Sequence, residues 1–359
     1  MSSQKGFCVA VVGATGAVGR EMLGLLDQRK FPLGRLRLFA SGRSAGKEIQ
    51  FQSQPVRVEA LTPGCFDGVD FAFFDASDAV SQEWAPQAAK SGAWVIDNSA
   101  AFRMDPSVPL VVPEVNPEIL VERAQKGRMA LSAQERMIAG PNCSTVQLVV
   151  ALKPIAHAWG LKRVVVSTYQ SVSGAGTAAM EELAQQTAAV LQGEEKPHQI
   201  FAHRIAFNCI PQIGGVKENG YTSEEQKVIL ESRKILGLPD LKITATAVRV
   251  PAFSCHSESV NIETQRSFDV KEVRQSLERM SGVKVLDDPQ HHVYPMNVTA
   301  PSDPVEGGTG RDAVYVGRIR RDESVENGLN LWVVSDNLRK GAALNAIQIG
   351  ETLLQHTRG

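Results

Sequence analysis

The stretch Phe7-Cys8-Val9-Ala10-Val11-Val12-Gly13-Ala14-Thr15-Gly16-Ala17-Val18-Gly19 decides the fold. Phe7 to Val12 is an unbroken apolar run, the pattern of a strand buried on both faces in a parallel sheet. Three glycines follow, spaced Gly13-x-x-Gly16-x-x-Gly19, and helix-forming residues continue to about Leu26. The first glycine permits a tight turn, the second lets backbone approach a pyrophosphate, and the third allows close packing of helix on strand. The phosphate would rest at the positive helix N-terminus. The spacing is not G-x-G-x-x-G, and a turn that binds nothing would use the same residues. The strand before it and the helix after it favour nucleotide binding.

Outward from this stretch, apolar runs at Leu36–Phe39, Val69–Phe74 and Trp94–Ile96 alternate with an Ala-rich helix around Gln82–Lys90. Strand and helix in alternation imply an α/β fold with a doubly wound, Rossmann-type sheet. After Cys143 the pattern changes. Thr145–Ala158 reads as a helix interrupted by Pro154, and Thr177–Leu191 and Ser223–Leu236 read as helices. Strand-like runs occur at Val164–Tyr169, Ile243–Val250, Ser259–Glu263, Val314–Ile319 and Leu329–Val334. These imply an α+β second domain with a mixed or antiparallel sheet. Leu338–His356 reads as an amphipathic helix with Asn337 available as its cap. A lone terminal helix needs a surface to bury on. The expected division is therefore residues 1–142, with 338–359 packing back on them, and a second domain over 143–337.

Composition narrows the function. At 359 residues the chain can bury about two cores. A net charge of −1 gives no reason to expect nucleic acid or an anionic membrane as partner. Its five cysteines, Cys8, Cys65, Cys143, Cys209 and Cys255, are scattered and form no C-x-x-C pair. Zinc and thioredoxin-like readings lack support, no metal is expected, and a reducing compartment is implied. Residues 1–6 are polar and the apolar run after them is too short for a signal peptide or a membrane span, so a soluble, cytoplasmic protein is expected.

The nucleotide can be read further. An NAD enzyme usually places Asp or Glu at the end of the second strand to bond the ribose hydroxyls. Here that place reads Ser41-Gly42-Arg43-Ser44, with no acid. A guanidinium between two serines suits a 2′-phosphate, so NADP is predicted. The alternative is that Arg43 is a solvated loop cation.

Gly140-Pro141-Asn142-Cys143-Ser144-Thr145 carries the chemistry. Pro141 stiffens the loop and an apolar helix starts just after Cys143, so the helix dipole would favour the thiolate. Cys8, in an apolar strand, and Cys209 fit the role of inert buried cysteines better. A nucleophilic cysteine usually has an imidazole partner. Of seven histidines, His256 stands out in Arg249-Val250-Pro251-Ala252-Phe253-Ser254-Cys255-His256-Ser257, which also brings Arg249 as a possible carboxylate clamp. Spacing alone does not show that Cys143 meets His256.

The sequence resembles the aspartate-semialdehyde dehydrogenase family over essentially its whole length. The resemblance rests on Thr15-Gly16-Ala17-Val18-Gly19, on Asp97-Asn98-Ser99-Ala100-Ala101-Phe102-Arg103 and on Pro141-Asn142-Cys143-Ser144. It rests also on Thr168-Tyr169-Gln170-Ser171-Val172-Ser173-Gly174-Ala175-Gly176, on Asn219-Gly220-Tyr221-Thr222 with Glu224 and Lys227, and on Asp336-Asn337-Leu338-Arg339-Lys340-Gly341. It implies that Cys143 is the nucleophile, His256 the acid/base, and Gln170 an orienting residue. Arg249 would bind the substrate α-carboxylate and Glu224 its ammonium group. Arg103, Asn142 and Lys227 would hold inorganic phosphate or the acyl phosphate. The glycine loop and Ser173-Gly174-Ala175-Gly176 with Asn337 would lie against NADP. The implied reaction interconverts L-aspartate 4-semialdehyde and L-4-aspartyl phosphate through a cysteine thioester, in the biosynthesis of lysine and diaminopimelate, threonine and methionine. The second domain would be catalytic and would form a homodimer.

Without the resemblance, Glu224 and Lys227 read equally as a solvent-exposed helix pair, Arg103 and Arg249 as structural ion pairs, and Gln170 as a backbone partner. The family commonly has glycine where Cys255 stands, so a left-handed backbone there would be strained. Short-chain dehydrogenases need Tyr-x-x-x-Lys, and none of Tyr169, Tyr221, Tyr294 and Tyr315 has lysine four residues on. Related acyl-phosphate or acyl-thioester reductases and a non-catalytic homologue stay as alternatives.

Overall fold

The computed structural model describes residues 6–42, 44–298 and 307–357. The chain divides into one unit of Met1–Pro141 with Ala342–Gly359 and another of Asn142–Gly341. Among the described residues no helix is long and apolar enough to cross a membrane.

The first unit contains β1 (Phe7–Val12), α1 (Ala17–Gln28), β2 (Leu33–Ala40), β3 (Glu48–Phe51), β4 (Gln54–Ala60), β5 (Phe71–Phe74), α2 (Asp78–Lys90), β6 (Trp94–Asp97), α3 (Glu118–Lys126) and β7 (Met137–Ala139). They build a seven-stranded sheet in the order β3-β4-β2-β1-β5-β6-β7. Its ladders are parallel except for the β3–β4 hairpin. The glycine loop leaves the end of β1, where strand order reverses, the usual place for a ligand in such sheets. The core is apolar, with Val9, Val11, Met22, Leu25, Phe71, Phe73, Ile96 and Ile138 buried together.

The C-terminal helix (Leu344–His356) buries Leu344, Ile347 and Leu353 in that same core. Asn345 Nδ2 donates to the Val111 carbonyl at 3.0 Å, and Arg29 makes a two-pronged bond to Glu351 at 2.8 Å. Its start departs from expectation, because Asn337 does not cap it. A π-helical turn, Arg339–Ala343, comes first, and the Asp336 carboxylate accepts from Leu338 N–H and Arg339 N–H, both at 3.0 Å. Both N–H groups bond the same oxygen, Oδ1, and the charge of the carboxylate strengthens these bonds. The Asn337 amide is thereby left to a different task, described below.

The second unit contains α4 (Cys143–Trp159), β8 (Leu161–Gln170), α5 (Thr177–Leu191), α6 (Ser223–Leu236), β9 (Lys242–Arg249), β10 (His256–Thr264), α7 (Val270–Glu278), β11 (Val283–Val285), β12 (Val314–Asp322) and β13 (Gly328–Ser335). Its sheet is mixed, in the order β11-β12-β13-β10-β8-β9. Helix α4 is apolar almost all round and buried along most of its length. Pro154 sits inside it without ending it. Burial of both neighbouring turns holds the backbone helical despite the missing N–H. Helix α6 starts with a full capping box, Thr222 with Glu225, and ends at Gly237 in the left-handed conformation.

Register aligns the chemistry. His256 opens β10 opposite Gln170 at the end of β8, and Gln170 pairs with Arg249 at the end of β9. The ends of three neighbouring strands therefore carry Arg249, Gln170 and His256 in one row.

Candidate active site

The glycine loop has the geometry of a phosphate cradle. Gly13 has φ +90°, and a Cβ there would lie 1.9 Å from the Asp75 carbonyl oxygen. A Cβ on Gly19 would lie 2.3 Å from the Gly13 carbonyl oxygen, so only glycine lets α1 come this close to β1. Gly16 is the N-cap of α1 and offers no capping side chain. The N-cap thus supplies no side-chain acceptor to the first-turn N–H groups around Ala17 and Val18, and Thr15 and Gly16 sit at the open tip. These residues fit a dinucleotide pyrophosphate. At the end of β2, Ser41 is exposed and its carbonyl accepts from Ser44 N–H at 2.8 Å. Arg43 lies outside the described residues.

Arg103 also belongs to the first unit. It is buried and its Nη2 donates to the Asn98 carbonyl. Burial pushes the Asp75 carboxyl up to about 6, opposed by a hydrogen bond from Asn98 and the charge of Arg103.

In the second unit, Cys143 is the first residue of α4 and its Sγ lies 3.2 Å from His256 Nε2. The spacing of the sequence could not establish this pair, and the fold makes it. Asn142 is the N-cap, its Oδ1 accepting from Ser144 N–H at 3.0 Å. The sulfur therefore sits where the helix dipole favours an anion.

His256 is fully buried, and its Nδ1 accepts the backbone N–H of Ser171 at 3.1 Å. A neutral imidazole accepting at Nδ1 carries its hydrogen on Nε2, facing the sulfur. Burial, helped by the Arg249 charge, lowers the His256 pKa to about 3 and keeps the ring neutral. Ser171 was not picked out as a functional residue. Its main-chain N–H and its hydroxyl, 3.3 Å from Nδ1, both reach the ring, and a serine at a strand end gives no sign of this in the sequence.

Arg249, Glu224 and Gln170 surround the pair. Arg249 is buried and its Nη1 donates to the Ser171 carbonyl at 2.6 Å, which fixes the guanidinium plane. Burial pulls its pKa down, while the charges of Cys143 and Glu224 pull it back up. Glu224 is buried, not part of a solvated helix pair. Its Oε1 accepts from Asn142 Nδ2 at 2.8 Å and from Gln170 Nε2 at 3.4 Å, and its Oε2 lies 3.3 Å from Lys227 Nζ. Burial pushes the Glu224 carboxyl up, but Lys227, Asn142 and Arg249 outweigh it and hold it below the usual range.

Gly174 backs onto this group, where a Cβ would meet Arg249 Nη1 at 3.0 Å and His256 Nε2 at 3.3 Å. Asn337 Oδ1 accepts from Ser171 Oγ at 3.1 Å and Ser173 Oγ at 3.2 Å, tying the Asp336–Gly341 segment to the loop behind His256. Ala175 and Gly176 complete the short 3-10 turn and the entry to α5.

Two sequence expectations about cysteines change. Cys209 is exposed, because the loop after α5 that carries it is not part of a strand, and Cys8 is only half-buried. The buried thiols are Cys65 and Cys255. Cys255 does adopt the left-handed backbone, with φ +65°. Its Sγ lies 3.4 Å from Thr309 Oγ1, and burial pushes the thiol up to about 12. It is an unreactive group beside the reactive pair.

Two family models match the chain, "Semialdehyde dehydrogenase, NAD binding domain" over residues 8–123 and "Semialdehyde dehydrogenase, dimerisation domain" over residues 152–340. The chain belongs to the semialdehyde dehydrogenase family. The aspartate-semialdehyde dehydrogenase of Aquifex aeolicus is 51% identical over 98% of each chain. That of Bacillus subtilis is 49% identical over 97% of this chain and 98% of its own. A solved structure of aspartate semialdehyde dehydrogenase II from Vibrio cholerae, complexed with ASA, matches with TM-score 0.90 and 45% identity over 98% and 99% of the two chains. The Candida albicans enzyme, solved with NADP, matches with TM-score 0.73 and 25% identity over 98% and 99%. The α/β fold with a nucleotide-binding sheet and a second α+β domain is that of this family, and the protein is an oxidoreductase of amino-acid biosynthesis.

Proposed function

We propose that the protein interconverts L-aspartate 4-semialdehyde and L-4-aspartyl phosphate, using NADP and inorganic phosphate, through a thioester on Cys143, and that it works as a homodimer. The observation that carries this reading is the 3.2 Å contact of Cys143 Sγ with His256 Nε2 at the start of a buried helix, with Arg249 and Glu224 alongside. The reaction feeds the synthesis of lysine and diaminopimelate, threonine and methionine.

The Cys143 thiolate adds to the aldehyde carbon, because a neutral thiol is a poor nucleophile. His256 keeps its hydrogen on Nε2 and directs it first at the sulfur, then at the oxygen that becomes negative as the C–S bond forms. When bound, a nicotinamide would supply a hydride acceptor for that carbon in oxidation and a hydride donor in reduction. The thioester left on Cys143 retains the oxidation energy that the acyl phosphate needs. Phosphate then attacks the carbonyl and the thiolate leaves.

Arg249, fixed by Ser171, presents a planar donor pair to the substrate α-carboxylate, and Glu224 accepts from its ammonium group. Gln170, between Arg249 and His256 in the strand row and bonded to Glu224, orients the reacting end. Lys227 and Arg103 supply cations for phosphate. Asn142 gives one amide hydrogen to Glu224, and its second is its means of reaching phosphate. The open N-terminus of α1, with Gly13, Thr15, Gly16, Ala17, Val18 and Gly19, cradles the pyrophosphate. Ser41, Arg43 and Ser44 would give the preference for NADP, and Ser173, Gly174, Ala175 and Gly176 with Asn337 would also contact the cofactor.

The test is reduced-cofactor formation from L-aspartate 4-semialdehyde with NADP or NAD, with and without phosphate, for wild type and Cys143→Ala. Phosphate-dependent NADPH formation that vanishes in the variant is expected. A wild type that binds nucleotide and stays silent with both cofactors overturns the reading in favour of a non-catalytic member.

A further inference from the structure

One buried acid at this site has no part in the chemistry above. Glu231 lies on α6 at i+7 from Glu224, so both carboxylates project from one face of that helix. It is 1% exposed, and its Oε2 accepts the backbone N–H of Asn142 at 2.6 Å. Asn142 directly precedes Cys143. Its remaining polar atoms are also engaged. Nδ2 donates to Glu224 Oε1 at 2.8 Å, Oδ1 accepts from Ser144 N–H at 3.0 Å, and the carbonyl accepts from Val146 N–H at 3.0 Å. Asn142 is itself 6% exposed, so water cannot easily replace any of these partners.

The consequence is mechanical. The dihedrals of Asn142 aim the first turn of α4, and that turn carries the sulfur. Glu224 and the helix itself hold the side chain and carbonyl of Asn142, and among the described residues Glu231 is what bonds its N–H. Helix α6 is in turn fixed at its own start, where Glu225 Oε1 accepts from Ala247 N–H of β9 at 3.0 Å. The position of Cys143 relative to the strand row of Arg249, Gln170 and His256 is thus referred through α6 back to β9.

We propose that Glu231 is a positioning residue for Cys143, acting through the Asn142 amide to hold the sulfur against His256. This rests on Cys143 being the nucleophile. A charged hydrogen bond to a buried amide is strong and directional, which suits a locating role. Displacements of about 1 Å at a reacting atom can cost on the order of 100-fold in rate.

Three substitutions separate reach from charge. Glu231→Gln keeps an acceptor at the same distance, Glu231→Asp keeps the charge but withdraws it by about one C–C bond, roughly 1.5 Å, and Glu231→Ala removes both. Expected are kcat within about threefold of wild type for Gln, and a fall of roughly 10- to 100-fold for Asp and Ala. KM for the amino-acid substrate should stay within about twofold, because Arg249 and Glu224 are untouched, and NADP affinity should be unchanged. Alkylation of the Cys143 peptide by iodoacetamide, followed by mass spectrometry so that exposed Cys209 does not interfere, should slow in Asp and Ala alone. A role confined to stability would lower melting temperature without moving kcat or alkylation per folded molecule. Wild-type kcat in Asp, or loss in Gln with retention in Asp, overturns the proposal. If all three variants misfold, the wild-type Asn142 amide decides, since hydrogen exchange as fast as in an exposed loop also overturns it. Cys143→Ala run in the same assay separates the two failures. Activity in Cys143→Ala sinks the proposed reaction, whereas a silent Cys143→Ala beside a fully active Glu231→Ala sinks only the role of Glu231.

Discussion

Gly341 offers the sharpest single test of how tightly the nucleophile is seated. A Cβ added there would stand 2.9 Å from Cys143 Cβ and 3.2 Å from both its Cα and its carbonyl oxygen. Gly341 is buried and has no positive φ, so Gly341→Ala adds a contact without forcing a left-handed backbone on alanine. Carbon atoms prefer a separation of about 3.5–4.0 Å, so about 0.6 Å or more must come from movement. Both partners are main chain or Cβ, and α4 is buried along its length, so neither can yield by rotating a side chain. Overpacking of this kind costs about 1–3 kcal/mol.

The same shift acts on the 3.2 Å bond from His256 to the sulfur, which would stretch by about 0.6 Å and weaken if the movement carries Cys143 away from the ring. We expect kcat to fall roughly 100-fold, with NADP affinity unchanged. Gly215→Ala is the control, because a Cβ there meets nothing within 4 Å. Steady-state rates and thermal melts of both variants give the answer. A Gly341→Ala enzyme with kcat within threefold of the Gly215→Ala control would refute the argument that main-chain contact seats Cys143.

Arg249→Lys should raise KM for the amino-acid substrate strongly, because a point charge replaces neither the planar clamp nor the bond to the Ser171 carbonyl, and an unchanged KM would remove Arg249 from that role. His256 titrates near 3 in the folded chain against 6.5 unfolded, so the folded state binds fewer protons and its stability should fall as pH drops from about 6.5 towards 3. Urea midpoints of wild type and His256→Gln at pH 7 and pH 5 check this, and a wild type that gains stability on acidification relative to the variant would mean an imidazolium–thiolate pair instead. Cys255→Gly relaxes a backbone at φ +65° while losing buried thiol packing, so its stability should lie within about 1 kcal/mol of wild type. Cys255→Val places a branched side chain on the same backbone beside Gly308 and should be less stable than Cys255→Gly by about 2 kcal/mol or more, which urea unfolding would show; equal stability would contradict the strain.

Long periodic or unbroken apolar segments were legible in the sequence. Helices α5 and α6 read from the sequence with the limits they have in the structure, since amphipathic spacing and caps are local properties. The β3–β4 hairpin was not read. Its turn residues, Gln52 and Ser53, both take positive φ without the Asn-Gly or Asp-Gly signature that marks such turns. Strand β7 was missed because three residues, Met137–Ala139, carry too little periodicity. Pro154 was read as a break because propensity rules do not include burial of both flanking turns. Asn337 was read as a cap because its type fits, but Asp336 beside it bonds two N–H groups and Asn337 turns to Ser171 and Ser173.

By itself the sequence determined that a buried strand, a glycine turn and a helix open a nucleotide-binding sheet, and that a helix starts just after Cys143. These are consequences of residue type and spacing along a few turns of chain. Only the tertiary structure decided that Cys143 meets His256 across 113 positions, that Arg249, Gln170 and His256 form a row, and that Ser171 and Glu231 hold them. The reason is register. Which residues stand side by side at the ends of β9, β8 and β10 depends on how strands from distant parts of the chain pair, and the hydrophobic period of each strand fixes its faces but not its neighbours.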